Sequence, residues 1–124
     1  MESPSVQLTF ASTLFEIGMI YSHSQYHDPL KAYQAFELCL QMSRVCLGGD
    51  HPSVARVLYE IGVVNELLSD PEEALAHYSE AIAILLSNSM DNHLKTLWMS
   101  LSRVQALLGQ TEDAQSSFNE AEKL

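Results

Sequence analysis

Apolar positions along the chain recur three, four and seven residues apart, the spacing that keeps side chains on one face of an α-helix. Leu14, Ile17, Gly18 and Tyr21 follow L-x2-I-G-x2-Y, and the run returns 44 residues later as Leu58, Ile61, Gly62 and Asn65. A third copy reads Trp98, Leu101, Ser102 and Gln105. Downstream of each comes A-x3-aromatic-x2-small: Ala32, Phe36 and Cys39, then Ala74, Tyr78 and Ala81, then Ala114, Phe118 and Ala121. Each copy therefore predicts two amphipathic helices, and no segment reads as a strand.

Breakers set the expected boundaries. HDP at 27–29 and SDP at 69–71 put Asp at an N-cap with Pro at the first helical position, and Asp70 with Glu73 has capping-box spacing. Gly109 is expected to close one helix and Thr111 to cap the next. The predicted helices are 5–23, 28–46, 52–68, 71–87, 93–108 and 111–123, joined between copies by GGDHP at 48–52 and SNSMDNH at 87–93. The first copy carries two extra residues in its internal turn, SHSQYHDP at 22–29. We expect an all-α protein with a single domain over 1–124, built from units at about 5–47, 52–87 and 93–124.

These motifs resemble the tetratricopeptide repeat, a helix-turn-helix unit with the pattern W-x2-L-G-x2-Y…A-x3-F. Trp98 stands in the tryptophan place, Gly18 and Gly62 in the glycine place, and Tyr21 in the tyrosine place. The resemblance implies an α-α solenoid, a right-handed superhelix of three hairpins, in which the glycine lets two helices approach closely. The alanine anchors recur after 42 and 40 residues, longer than the family's usual unit of about 34. That length and the GGDHP connection make the chain most similar to the subclass found in kinesin light chains. Paired asparagines often line the cargo groove there, and Tyr59 and Glu60, or Phe15 and Glu16, occupy the equivalent places here.

The resemblance implies a module that binds a peptide or helix of a partner protein in a concave groove, as a scaffold or adaptor without cofactors. Residues four apart place Phe15 with Met19, Tyr59 with Val63, and Met99 with Arg103 on successive inner helices; Arg56 and Arg103 could pair with an acid of the partner. A clamp for a chaperone's C-terminal carboxylate would need an asparagine after the glycine place, where Met19, Val63 and Arg103 stand. The alternative is self-assembly into a homodimer or a longer solenoid. The final helix, with its apolar face of Ala114, Phe118, Ala121 and Leu124, is expected to cap the array. Both termini fall near repeat boundaries, as in a minimal three-repeat protein or a stretch of a longer array.

Charge narrows the partners. Six Lys and Arg against sixteen Asp and Glu give a net charge of −10, which repels nucleic acid and anionic membranes and favours a basic or apolar protein segment. Hydrophobic residues make up 47 % of the chain and charged residues 18 %, so a partner is expected to cover part of the apolar surface. Cys39 and Cys46, seven apart on one predicted helix, lie about 10 Å apart by helical rise, beyond disulfide reach. Both are expected as reduced core residues, consistent with a cytoplasmic protein that shows no signal peptide or membrane span. His23 and His27 have metal-ligand spacing, but the predicted turn separates them and no further ligand is near in sequence. No nucleophile-base pairing or phosphate loop is present, and no enzyme activity is expected.

Overall fold

All four prolines stand at the first position of a helix, where the missing N–H costs nothing and the fixed φ is already helical. The computed structural model describes residues 3–124, which form α1 (Pro4–His23), α2 (Pro29–Leu47), α3 (Pro52–Leu67), α4 (Pro71–Ser87), α5 (Leu94–Leu107) and α6 (Thr111–Glu122). These bounds differ from the predicted ones by a residue at most at either end. Asp28 and Asp70 cap α2 and α4, their carboxylates accepting the N–H groups of Lys31 at 3.2 Å and Glu73 at 3.3 Å. Only half of the expected capping box forms, because the Asp70 N–H donates to the Asn65 carbonyl instead. Thr111 is the first helical residue rather than the cap; Gln110 holds that place without a side-chain bond.

Three helices end in the same left-handed turn. Ser69, Ser89 and Gly109 adopt φ of 59°, 53° and 78°, and the next N–H in each case reaches back to Asn65, Leu85 and Gln105 at 2.8–2.9 Å. This closure satisfies helix carbonyls but puts a Cβ in the left-handed region at the two serines. Ser69→Gly is expected to raise stability by about 0.5 kcal/mol, the relieved strain being partly offset by a freer unfolded chain, as a urea midpoint would show. In the first hairpin the corresponding bond spans two residues more, from Asp28 N–H to the Tyr21 carbonyl, so the extra residues predicted in that turn are absorbed as a wider loop.

Each helix packs on its neighbours in sequence, so the hairpins stack into a helical solenoid with a continuous apolar interior; no strand occurs among the described residues. Within the first two hairpins the glycine and the aromatic meet. A Cβ on Gly18 would lie under 3.0 Å from three ring atoms of Phe36, and one on Gly62 would do the same to Tyr78. Both rings are fully buried. The third hairpin solves the contact differently: Ser102 replaces glycine, its hydroxyl donates to the Ala114 carbonyl at 2.7 Å, and Phe118 is 39 % exposed. Phe118 and Leu124, expected in the capping face of α6, are thus partly open to solvent, while Ser117 turns inward to Gln105 at 2.6 Å.

Both cysteines are free. Cys39 is core, and burial pushes its thiol up despite the opposing bond from Ser43. Cys46 is only half-buried, with its thiol 3.2 Å from the Gln7 amide oxygen, so its expected core placement is corrected. No helix among the described residues is long and apolar enough to cross a membrane.

Candidate protein-binding groove

The first helices of the three hairpins, α1, α3 and α5, carry the predicted stripe, and clefts open between them. Between α3 and α5 lies a cleft of about 520 Å³, lined by Arg56, Tyr59, Glu60, Thr96 and Leu97, with Met90, Asn92 and His93 from the connection before α5. A smaller one of about 210 Å³ lies between α1 and α3, against Ala11, Ser12, Phe15, Glu16 and Arg56. Arg56 borders both.

The stripe residues take different roles. Phe15 lines the smaller cleft from below: it is 8 % exposed and packs on Phe36 with ring centroids 5.6 Å apart, because helical spacing turns most of the ring toward its own hairpin. The Arg56 guanidinium covers its remaining edge, 4.5 Å from the ring centroid. Met19 and Val63 are partly buried against the core. Tyr59 is half-buried, its ring 5.8 Å from Tyr78, and burial followed by the nearby Glu60 carboxylate pushes its phenol up. Met99 is 41 % exposed.

Arg103 has a partner within the chain. Its Nε and Nη2 donate to the two oxygens of Glu66 at 3.0 and 2.8 Å, and the Tyr78 hydroxyl donates to the same carboxylate. Burial raises the Glu66 carboxyl, but the bonds from Arg103 and Tyr78 and the arginine's charge outweigh it and hold the group below its ordinary value. The fork joins α3 to α5 and fixes the Tyr78 ring from above. Arg56, in contrast, forms no ion pair among the described residues, so its donors face the clefts.

Sequence reasoning missed several lining groups. Glu60 is buried and meets His23 of α1 at 3.2 Å, which ties two inner helices together. His27 lies instead near the Ser22 carbonyl, so the two histidines serve different contacts. Among the described residues, no group of three or more His, Cys, Asp or Glu is arranged to hold a metal. Met90, Asn92 and His93 belong to the longest connection, residues 88–93, and connections of unusual length are where binding residues concentrate. His93 adds a φ of 68°, unusual for a residue with a side chain.

Residues 9–87 match the tetratricopeptide repeat family, and the chain belongs to it. The match ends at the close of α4, and the third hairpin continues the same architecture. The fold is similar to that of the tetratricopeptide repeat domain of Arabidopsis FLU, with a TM-score of 0.81, 17 % sequence identity, and coverage of 98 % of this chain and 96 % of that one. No curated protein sequence matches significantly. Domains of this family generally bind other proteins and are typically non-enzymatic scaffolds.

Proposed function

We propose that the protein is an adaptor that holds a segment of a partner protein across α1, α3 and α5, with the cleft between α3 and α5 as the anchor site. The observation that carries this reading is the composition of that cleft: the half-buried ring of Tyr59 and the apolar Met90 and Leu97 form a wall, and Arg56 stands at the rim with its donors free. Such a site takes an apolar or aromatic side chain into the wall while the guanidinium bonds a carboxylate or main-chain carbonyl. The net charge of −10 favours basic residues flanking that anchor and speeds their approach at low salt. Repeats of 42 and 40 residues and the GGDHP connection support a likeness to kinesin light chains, and cargo linkage is the version of this role that the likeness suggests. A cytoplasmic site of action goes with it.

Thr96 offers a direct test, since it is exposed and lines the cleft without contributing to the core. Peptides selected on the wild-type protein from a random library are expected to lose at least about tenfold in affinity to Thr96→Trp, a loss of one good anchor contact, with an unchanged circular dichroism spectrum. Equal affinity for the variant would place the binding surface elsewhere.

A further inference from the structure

One face of α1 is apolar and open, and the other hairpins show what such a face meets. Phe10, Ile17 and Ile20 are 56 %, 38 % and 48 % exposed. Their counterparts 44 residues on, Val54, Ile61 and Val64 of α3, are each 0 % exposed, and the corresponding residues of α5, Leu94, Leu101 and Val104, are 2 %, 5 % and 0 %. The difference lies in neighbours. α3 packs on both α2 and α4, and α5 on both α4 and α6, whereas α1 packs on α2. In α3, Gly62 and Asn65 face α4 through Tyr78 and His77, which leaves Val54, Ile61 and Val64 to the preceding helix. The exposed face of α1 is thus a helix-docking face by register.

We infer that this face of α1 packs against the same face of α1 in a second copy, forming a two-fold symmetric dimer. Three observations select this occupant. The first is spacing: Val6, Phe10, Thr13, Ile17 and Ile20 follow alternating steps of four and three, the seam by which two helices pair along their length. The second is self-complementarity. Val6 and Ile20 lie seven residues either side of Thr13, and Phe10 and Ile17 lie three before and four after it. Thr13 is small and its hydroxyl is already bonded to the Thr9 carbonyl at 3.0 Å, so an antiparallel pair crossing there sets Val6 against Ile20 and brings Phe10 within one residue of Ile17. The third is charge. A protein of net charge −10 meets its own copy best on a surface poor in acids, and α1 carries Glu16 as its one acidic residue. Head-to-tail stacking meets a more polar surface, because the places of the partly buried Leu75 and the buried Ile82 of α4 are taken in α6 by the exposed Gln115 and Glu122. The cleft between α3 and α5 is lined by neither helix of this interface, so the dimer would present two copies of it. This inference stands independently of the groove reading.

Sedimentation equilibrium on the whole chain tests it. The wild type is expected to be a dimer whose dissociation constant rises about 100-fold or more in Phe10→Glu, with helix content and thermal midpoint of the monomer unchanged because the side chain is exposed. Leu107→Glu, at the 69 % exposed leucine ending α5, serves as the control and is expected to leave the dimer intact. A wild type monomeric up to its solubility limit overturns the inference, as does a dimer broken by Leu107→Glu and untouched by Phe10→Glu. Phe10→Cys together with Ile17→Cys in a Cys46→Ser background is expected to cross-link two chains on oxidation; failure to do so in a confirmed dimer overturns the antiparallel pairing.

Discussion

Gly62→Ala is expected to destabilise the protein by about 3 kcal/mol, lowering the thermal midpoint by on the order of 10 °C. Alanine is the better helix former, so on propensity alone the change should stabilise by up to about 1 kcal/mol. Packing reverses the sign. The added methyl would sit under 3.0 Å from three ring atoms of Tyr78, a fully buried residue that cannot swing aside because its hydroxyl is bonded to Glu66 and its face lies against Tyr59. The cost must be met by separating α3 from α4 or by forcing the ring off its rotamer. The third hairpin shows what relief looks like: with Ser102 in the glycine place, Phe118 is partly solvent-exposed instead of lying over the helix crossing. Tyr78→Leu should therefore recover part of the loss in Gly62→Ala, and a double-mutant cycle by chemical denaturation would read the coupling. Additive effects would show that the ring does not govern the crossing.

Arg103→Met is expected to cost about 1–2 kcal/mol at pH 7, a figure kept low because the arginine side chain is 55 % exposed. The aliphatic stem is retained, so the loss is that of two charge-assisted bonds to the partly buried Glu66 carboxylate. The pH dependence distinguishes this from a packing defect. Glu66 lies below its ordinary value in the folded protein, so the folded state binds fewer protons than the unfolded chain between the two values. Its contribution is full above the ordinary glutamate value of about 4.3 and disappears as pH falls through the lower folded value. The stability gap between wild type and Arg103→Met should accordingly be constant near neutrality and close under acid. A gap that stays the same down to acid unfolding would mean that the arginine acts through its stem alone.

Much of the candidate site could be read without coordinates, and the failures have a common cause. Tyr59 and Arg56 line the cleft between α3 and α5, and Met99 is an exposed residue of α5, each on an inner helix where four-residue periodicity puts it. Phe15 shares that spacing but offers the smaller cleft only an edge, since the ring reaches Phe36 across the Gly18 crossing. Arg103 was a candidate to pair with a partner's acid, yet its pairing is with Glu66, 37 positions earlier. Glu60 stands by resemblance in the place of a groove asparagine, and its burial beside His23 of another hairpin is not visible in the sequence. In each case the deciding neighbour is remote along the chain.

The amino-acid sequence by itself determined the local geometry: the starts of α1 to α4 follow from proline, with aspartate capping α2 and α4, the crossings of the first two hairpins from glycine opposite an aromatic, and the three-fold repetition from the recurring spacing of apolar positions. Those effects stay within one hairpin, where a residue's own backbone preferences, the next turn of helix or the adjoining helix settle the outcome. Only the tertiary structure decided which apolar faces are covered. Phe10, Ile17 and Ile20 carry the same pattern as Val54, Ile61 and Val64, but among the described residues no helix packs on them as α2 packs on α3. Burial is a property of the neighbour as much as of the residue, and periodicity along one helix says nothing about what stands beside it.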